Sequence, residues 1–472
     1  MSQKLMSNIF DNYQKSRHQF IQNVLEFSGR SIHVESLMNI GVLDLIKPLL
    51  NDPVNSVRHT ACSALYQLAN SNAKVANEIV EQDILSCLLF PSKEPSKHMK
   101  KLTANVFRAL AKYNFDLANQ MVNQGVIPAL IMVFEEFDPS VKEAAAYAIA
   151  QIAKQHVNLA NKMSEFGVIQ VLLASLQEAD HSLRSAAAFA LAEIASHSEN
   201  LAKIIVENDG LKITKKLISG KEKKVKRNYI HLLTQVAKHS YDTSESVANI
   251  DIIYDSLSFL RSTDEAVQRS SAELLKELGK FSEVIAEEIS RENGISYLVE
   301  YLEKTDSKDP GRLHAIIAIG NIASHNKELA KITIEQNSLG AIKSILRHEK
   351  CENVLEQCVL TLEQIAYHSE ELALIIAKED FLNILLVVQN EAKSESLVMQ
   401  VLPNDPEQRK TFVISGSLKV IQEIPRDGND RFENYIQAIN NCYPEEIVNF
   451  YSPGYSEVIM RKIENYNMPK VN

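Results

Sequence analysis

The chain has 472 residues, of which 45% are hydrophobic and 23% charged, and its formal net charge is −10. Only 14 residues are Gly and 13 are Pro, which excludes collagen-like and low-complexity chains. The negative charge argues against a general nucleic-acid binder, because phosphate contacts need clustered positive charge.

Cysteine usage and hydropathy indicate the compartment. The five cysteines are odd in number and scattered, which predicts a reducing environment: Cys62, Cys87, Cys351, Cys358 and Cys442. Cys351 and Cys358 are interpreted as small buried hydrophobic residues. No signal-peptide core begins the chain, and no window approaches the roughly 20 apolar residues of a membrane span. We therefore expect a soluble, intracellular protein.

The N-terminal region, residues 1–30, is predicted to be one amphipathic capping helix. Its apolar residues recur at helical spacing and should cover the first repeat: Leu5, Ile9, Phe10, Tyr13, Phe20, Val24 and Phe27.

Residues 31–390 repeat with a period of 42 residues. Similar phrases begin at Gly125 and Gly167, and continuing this spacing in both directions gives further anchors of the same few residue types. The predicted anchors are Gly41, Asp83, Gly125, Gly167, Asp209, Asp251 and Asn293, followed by Ser338 and Asp380. Gly, Asp and Asn tolerate a left-handed backbone, and Asp, Asn and Ser cap helices. Each anchor therefore predicts a sharp bend before a helix.

A longer helix follows in each repeat. Its start is marked by N-cap residues at multiples of 42, with Pro139 at a first helical position: Ser96, Asp138, Asp180 and Asp264. Its apolar stripe is rich in alanine, which predicts close helix approach. The stripe comprises Val141, Ala144, Ala145, Ala148, Ile149 and Ile152, and one repeat later Leu183, Ala186, Ala187, Ala190, Leu191 and Ile194. A short third helix, such as residues 158–163, completes the unit.

Three helices with a kink in 42 residues resemble the armadillo repeat. The predicted fold is therefore an all-α, right-handed armadillo-repeat solenoid of about nine repeats. Beyond Asp380 the period fails, so residues 391–425 are predicted to be an irregular or truncated repeat containing Gly416. Residues 426–472 form a predicted helical capping tail, in which Pro444 and two acids mark a helix start.

The chain resembles the armadillo-repeat family of the ciliary central apparatus, the sperm-associated antigen six type. The resemblance lies in Phe10-Asp-Asn-Tyr-Gln-Lys-Ser-Arg, in Phe137-Asp-Pro-Ser-Val-Lys-Glu-Ala-Ala-Ala, and above all in the tail, Asn441-Cys-Tyr-Pro-Glu-Glu-Ile-Val followed by Tyr451-Ser-Pro-Gly-Tyr-Ser. In that family the repeats continue further, and about one repeat is missing here around residues 394–403.

The resemblance implies a non-enzymatic scaffold on a central-pair microtubule of motile cilia and flagella, located in the cytoskeleton of the axoneme. It implies other central-apparatus proteins as partners, with tubulin as a further candidate. Self-association through the ends or the tail is expected, and the tail supplies candidate contact residues: Cys442, Tyr443, Pro444, Tyr451 and Tyr455.

Motifs for catalysis or cofactor binding are not found: there is no phosphate loop, nucleophile elbow, His-Glu-x-x-His or Cys-x-x-Cys. No enzyme activity, cofactor, metal, membrane or small-molecule substrate is therefore predicted. Four histidines recur at one corner of the repeat: His197, His239, His325 and His368. Packed helices lie about 10 Å apart, too far for shared metal ligation, so we expect each histidine to hydrogen-bond its neighbouring repeat.

Two surfaces are candidates for partner binding. The first is a groove along the long helices, at the positions where armadillo import adaptors carry Trp and Asn: Tyr147/Gln151, Phe189/Glu193, His231/Gln235 and Ile317/Asn321. The alternative is a solvated concave face without a ligand. The second is a basic segment with eight basic residues and one acid, Glu222: Lys212, Lys215, Lys216, Lys221, Lys223, Lys224, Lys226 and Arg227. It would attract an acidic partner such as tubulin tails; the alternatives are a solvated loop and a nuclear-localisation-like run.

Two functions therefore stay open. One is the structural protein of the central apparatus, and the other is a soluble cargo or signalling adaptor that binds an extended peptide in its groove.

Overall fold

The computed structural model describes residues 2–89, 96–220, 223–349 and 351–378 and, towards the C-terminus, residues 402–403, 406–414, 416–423, 436–455, 457 and 460–461. All regular elements in these ranges are helices, so the all-α prediction is confirmed. The chain divides into two compact units, Met1–Ile250 and Asp251–Asn472, and each is described by itself. The boundaries predicted from the sequence, and the number and handedness of the repeats, stay predictions.

The first unit contains sixteen described α-helices and two short 3-10 helices. They are α1 Ser2–Ser28, α2 Ser31–Asn39, α3 Val42–Ile46, a 3-10 helix Lys47–Asn51, α4 Asn55–Ser71, α5 Ala73–Glu81, a 3-10 helix Leu85–Cys87, α6 Lys97–Ala111, α7 Phe115–Asn123, α8 Val126–Val133, α9 Pro139–Ala153, α10 Val157–Glu165, α11 Val168–Ser175, α12 His181–Ala195, α13 Glu199–Glu207, α14 Gly210–Ile218, α15 Lys223–Ala237 and α16 Tyr241–Ala248.

The second unit continues the same alternation of short and long helices. Its described helices are α17 Ile252–Phe259, α18 Glu265–Phe281, α19 Glu283–Arg291, α20 Gly294–Lys304, α21 Gly311–Ala323, α22 Lys327–Glu335, α23 Ser338–His348, α24 Glu352–Ala366, α25 Glu370–Lys378, α26 Pro406–Ile414, α27 Ser417–Glu423 and α28 Glu445–Tyr451.

The core lies between successive long helices. In the first unit α4, α6, α9, α12 and α15 each pack on the next, and in the second unit α18, α21 and α24 do the same. All twelve residues of the two predicted alanine-rich stripes are buried. Because a methyl group leaves little space between helix axes, these stripes hold neighbouring long helices close together. The predicted stripe is confirmed.

A left-handed residue bends the chain before the second helix of each repeat. The backbone φ is positive at Gly41, Asp83, Gly125, Gly167, Asp209, Asp251 and Asn293, as the sequence predicts. The prediction of Ser338 as the next anchor is wrong: Asn337 has φ +64°, and Ser338 begins α23. Asn occupies this conformation more readily than Ser, because its short side chain supports the left-handed backbone. Asp380 lies outside the described residues.

Side-chain caps begin the long helices where the sequence predicts them. Ser96 accepts a hydrogen bond from the backbone N–H of Met99, and Asp180 accepts one from Leu183. Asp138 and Asp264 cap α9 and α18 in the same way. Pro139 occupies the first turn of α9, where its missing N–H is not needed. These N-caps are confirmed.

The N-terminal helix α1 packs on α2 and α4, and Ser28 Oγ donates to Gln67 Oε1 at 2.8 Å. Its predicted apolar face is only partly right. Ile21 and Val24 are buried, whereas four predicted contact residues are exposed: Ile9, Phe10, Tyr13 and Phe27. Phe20 is half-buried, and the side chain of Leu5 lies outside the description. Ile9, Phe10 and Tyr13 lie in the N-terminal half of α1, whereas all the described buried side chains of this helix lie in its C-terminal half. Phe27 is exposed although it belongs to that half.

The C-terminal region contains a repeat-like pair followed by a short helix. Gly416, with φ +81°, separates α26 from α27, as the anchors do elsewhere. Pro444 immediately precedes α28, whose first turn carries Glu445 and Glu446. The predicted helix start is therefore confirmed. In the predicted irregular segment, residues 391–401, 404–405, 415 and 424–425 lie outside the described residues. None of the described helices is long and apolar enough to span a bilayer.

Cysteine burial corrects one interpretation. Cys358 is buried, but Cys351 is exposed because it precedes the first turn of α24. Burial raises the pKa of the Cys62 and Cys358 thiols to about 12 each.

We expect thiol labelling at pH 8 to separate these cysteines. Cys351 should react rapidly with an aromatic disulfide reagent, whereas Cys62 and Cys358 should react only after unfolding in urea, because the thiolate is the reactive form. Absorbance during labelling measures the phases, and the variant Cys351→Ser should lose the fast one. Rapid labelling of Cys62 in the folded protein would contradict the expectation.

Candidate functional site

The first unit carries a row of three rings on consecutive long helices, which we call the aromatic ladder: Tyr147 on α9, Phe189 on α12 and His231 on α15. Ring centroids of Tyr147 and Phe189 lie 6.2 Å apart, and those of Phe189 and His231 also lie 6.2 Å apart. All three side chains are half-buried. The structure therefore brings together three of the residues that the sequence predicts for a groove.

The repeat itself builds this ladder. Each ring occupies the same position of its long helix, 42 residues after the previous one, and the helices pack side by side. The residues next to the rings, Ala148 and Ala190, are fully buried. The small alanines bring the helices close, so that equivalent side chains on successive helices come into contact.

Charged side chains surround the ladder. The Arg108 guanidinium of α6 lies over the Tyr147 ring, 4.8 Å from its centroid, which is a cation–π arrangement. At the other end, His231 Nε2 lies 3.9 Å from Glu193 Oε1. Burial raises the pKa of Tyr147 and nearby Glu143 raises it further, while Arg108 and Arg227 oppose the rise. The Tyr147 ring therefore contacts an arginine of the neighbouring long helix, α6.

Glu143 lies one helical turn before Tyr147. Burial raises the pKa of its carboxyl group, and Asp180 adds to the rise, while Lys101 and Arg108 oppose it. Sequence reasoning missed Arg108 and Glu143 as groove residues. The signal available was the helical spacing, since Glu143 precedes Tyr147 by four residues.

The amide and acid positions of the predicted groove have different surroundings. Gln235 is buried and accepts a hydrogen bond from Lys238 Nζ at 2.7 Å, whereas Gln151 and Glu193 are half-buried. Asn321 belongs to the second unit, where its Nδ2 donates to the backbone oxygen of Lys276 at 3.0 Å. This side chain joins α21 to α18, and Ile317 beside it is half-buried.

The basic segment is described in part. Lys212, Lys215 and Lys216 lie on α14, while Lys226 and Arg227 lie on α15. Lys212 Nζ pairs with Asp209 Oδ1 at 2.7 Å. Lys216 and Arg227 are exposed. Lys221 and the side chains of Lys223 and Lys224 lie outside the description. Arg227 precedes His231 by one turn, so the basic segment continues into the ladder.

The four corner histidines bind backbone rather than metal. Each Nε2 donates to a carbonyl oxygen in the long helix of the previous repeat, since a carbonyl can only accept. The pairs are His197 to Ala153 at 2.7 Å, His239 to Ala195 at 2.7 Å, His325 to Gly279 at 2.8 Å and His368 to Ala323 at 2.8 Å. The predicted inter-repeat hydrogen bond is confirmed. In the described part of the chain no cluster of three metal-ligating side chains occurs.

Removing one corner bond should have a measurable cost. We expect His325→Ala to lower the free energy of unfolding by about 1 kcal/mol, because the Gly279 carbonyl loses its partner. The control His348→Ala changes an exposed histidine of the same unit and should stay within about 0.5 kcal/mol. Urea unfolding followed by circular dichroism measures both, and equal effects would contradict a bonding role.

The predicted tail residues pack within their own unit. Tyr443 Oη donates to the backbone oxygen of Arg409 at 3.3 Å, and its ring stacks on Phe412 with centroids 6.5 Å apart. Cys442 Sγ donates to Ala438 oxygen at 3.4 Å. Phe450 contacts both Tyr451 and Tyr455 and is exposed, and Pro444 is exposed as well.

A second concavity, in the other unit, has a volume of about 560 Å³. Both of its arginines pair with acids of the lining. Arg261 binds Glu300 and lies 4.1 Å from the Tyr297 ring centroid, and Arg269 Nε lies 3.5 Å from Asp309 Oδ2. The lining carries four basic and four acidic residues, so the cavity has no dominant charge that would select a ligand.

Comparisons with known proteins agree with the helical repeats. A HEAT repeat model matches residues 42–71. The crystal structure of an engineered protein, 20% identical, aligns with 85% of this chain and 98% of its own with a TM-score of 0.74, which shows a shared fold.

Two relatives carry the same name. Sperm-associated antigen 6 of Mus musculus is 32% identical over 175 residues, 34% of this chain and 31% of that protein. Sperm-associated antigen 6 of Homo sapiens is 48% identical over 67 residues, 14% of this chain and 13% of that protein. The chain is a helical-repeat protein that is similar to sperm-associated antigen 6 over these aligned segments. The resemblance predicted from the sequence is confirmed, over alignments that span less than a third of the curated relatives.

Proposed function

We propose that this armadillo-type protein is a non-enzymatic structural scaffold of the axonemal central apparatus, needed for the motility of cilia and flagella. The observation that carries the proposal is the similarity to two proteins named sperm-associated antigen 6. The nearest-neighbour packing of the long helices supports it, because such repeats present an extended surface for several partners.

Fractionation of axonemes tests the proposal. After detergent extraction of motile cilia or flagella, a tagged copy of the chain should stay with the axoneme, and microscopy should place it on the central pair. A matched tagged copy of an unrelated soluble protein should wash out. Recovery of the chain in the detergent-soluble fraction would reject the scaffold.

Direct contact with tubulin is the finer part of the proposal. Exposed Lys216 and Arg227 belong to a basic segment that suits an acidic polymer through screened electrostatic attraction. Neutralising Lys221, Lys223, Lys224 and Lys226 should weaken microtubule co-sedimentation, more strongly at low salt. Unchanged co-sedimentation would reject tubulin as the partner of this segment.

Self-association into a dimer or larger array is also part of the scaffold proposal. Two exposed apolar regions are available for it: Ile9, Phe10 and Tyr13 on α1, and Phe450 near the tail. Cross-linking at micromolar concentration should yield dimers or larger species, and monomers alone would reject this part.

The second candidate function is a soluble adaptor for an extended peptide. The aromatic ladder favours it, because half-buried rings at regular spacing offer apolar contact to a peptide. The axoneme fractionation distinguishes this function from the scaffold, since a soluble adaptor leaves with the detergent extract.

A further inference from the structure

The aromatic ladder of the first unit has cations on both sides. Arg108 reaches the Tyr147 ring from α6, and Arg227 lies on α15, one helical turn before His231. Arg227 is exposed, and Tyr147 is half-buried. One guanidinium group thus contacts the first ring of the ladder, and a second lies one helical turn before the residue that carries the last ring.

We infer that the ladder binds an extended acidic peptide, whose carboxylates pair with Arg108 and Arg227 while alternate side chains lie on the rings. This inference rests on the peptide groove proposed above and names the class of its ligand.

The ring spacing fits an extended chain. An extended peptide rises about 3.4 Å per residue, so alternate side chains are about 6.8 Å apart. This distance is close to the 6.2 Å that separates successive ring centroids. Every second side chain of the peptide can therefore meet one ring, and the side chains between them are free to reach the arginines.

The charges around the ladder favour an acidic over a basic peptide. Guanidinium groups bind carboxylates through two parallel hydrogen bonds. Beyond Arg227 the positive charge continues through Lys226 to the lysines of α14. The two acids of the groove, Glu143 and Glu193, oppose an acidic ligand less than their number indicates. Burial raises the pKa of Glu143, and Glu193 faces His231 with a side chain that is only 13% exposed.

Fluorescence anisotropy with purified full-length chain tests the inference. The probe is a fluorescein-labelled synthetic peptide of alternating Glu and Tyr, and the comparison peptide has Lys in place of Glu. The variants are Arg108→Gln, Arg227→Gln and Phe189→Leu. The matched control Arg30→Gln removes an arginine of the same unit whose side chain is 61% exposed and pairs with Glu26. Circular dichroism verifies that each variant is folded.

The Glu peptide should bind more tightly than the Lys peptide, and each groove arginine variant should weaken binding about tenfold. Phe189→Leu should weaken it as well, while Arg30→Gln should bind like the unchanged chain. Tighter binding of the Lys peptide, or equal binding by the groove variants and the control, would overturn the inference. The inference would also be overturned if the peptide bound in a salt-sensitive way and neither Phe189→Leu nor Arg108→Gln changed its affinity, because the peptide would then bind outside the ladder.

This experiment is independent of axoneme fractionation. A chain that stays on axonemes but ignores the Glu peptide retains the scaffold and loses the ladder ligand. If the chain binds the peptide but washes out of axonemes, the ladder ligand is retained and the scaffold proposal is rejected.

Discussion

Replacing Phe107 with Ala should lower the free energy of unfolding by about 3–5 kcal/mol, the range for removing a large aromatic side chain from a protein core. Phe107 lies on α6 and is 0% exposed. Because α6 packs between α4 and α9, the cavity would loosen both contacts of one long helix. Urea unfolding with far-ultraviolet circular dichroism measures the loss.

Phe137 supplies the matched control for this substitution. It belongs to the same unit and is 99% exposed, so Phe137→Ala removes an equal side chain without opening a cavity. We expect a change within about 0.5 kcal/mol. If the two variants lost similar stability, the packing of the long helices would not be the main source of stability in this unit.

The variant Glu349→Gln should destabilise the second unit by about 3–5 kcal/mol. Arg312 Nη1 on α21 lies 3.0 Å from Glu349 Oε2, which follows α23, and the two side chains are only 9% and 7% exposed. The neutral glutamine leaves a buried guanidinium without its counter-charge. Removing one partner of a buried pair costs more than the pair contributes, because the remaining charge is poorly solvated.

An exposed ion pair of the same unit tests this explanation. Lys327 Nζ and Glu371 Oε2 are 3.1 Å apart, with side chains that are 47% and 70% exposed. Glu371→Gln should cost at most about 1 kcal/mol, since water solvates the remaining lysine. Thermal and urea unfolding of both variants provide the comparison. Equal losses would indicate that burial does not determine the strength of these pairs.

The repeat could be predicted from the sequence because one local requirement recurs at a fixed spacing. Left-handed backbone restricts the residue type to Gly, Asn or Asp, so anchors such as Gly125 and Asp251 are recognisable without any tertiary information. The N-caps and the alanine stripes are equally local. The prediction of Ser338 was wrong because residue type alone did not distinguish it from its neighbour Asn337. The structure shows that Asn337 is the residue with the left-handed backbone.

Burial and side-chain contacts that depend on which helix packs against a residue could not be predicted from the sequence. The spacing of Ile9, Phe10 and Tyr13 predicts an apolar helix face, but the sequence does not show that these three residues are exposed while Ile21 and Val24 of the same helix are buried. In the candidate groove, Tyr147, Phe189 and His231 were predictable from the period. Arg108 was not, because its side chain reaches a ring on the next long helix rather than a residue in phase with it.

The corner hydrogen bonds all have the same direction, from a histidine to a carbonyl earlier in the chain. Shortened fragments are therefore not equivalent. A fragment that loses residues from its end keeps every remaining histidine with its acceptor. A fragment that starts at α12 would leave His197 with no acceptor, since Ala153 would be absent. Fragments for crystallisation or domain mapping should accordingly be shortened at their C-terminal end, by removing whole repeats.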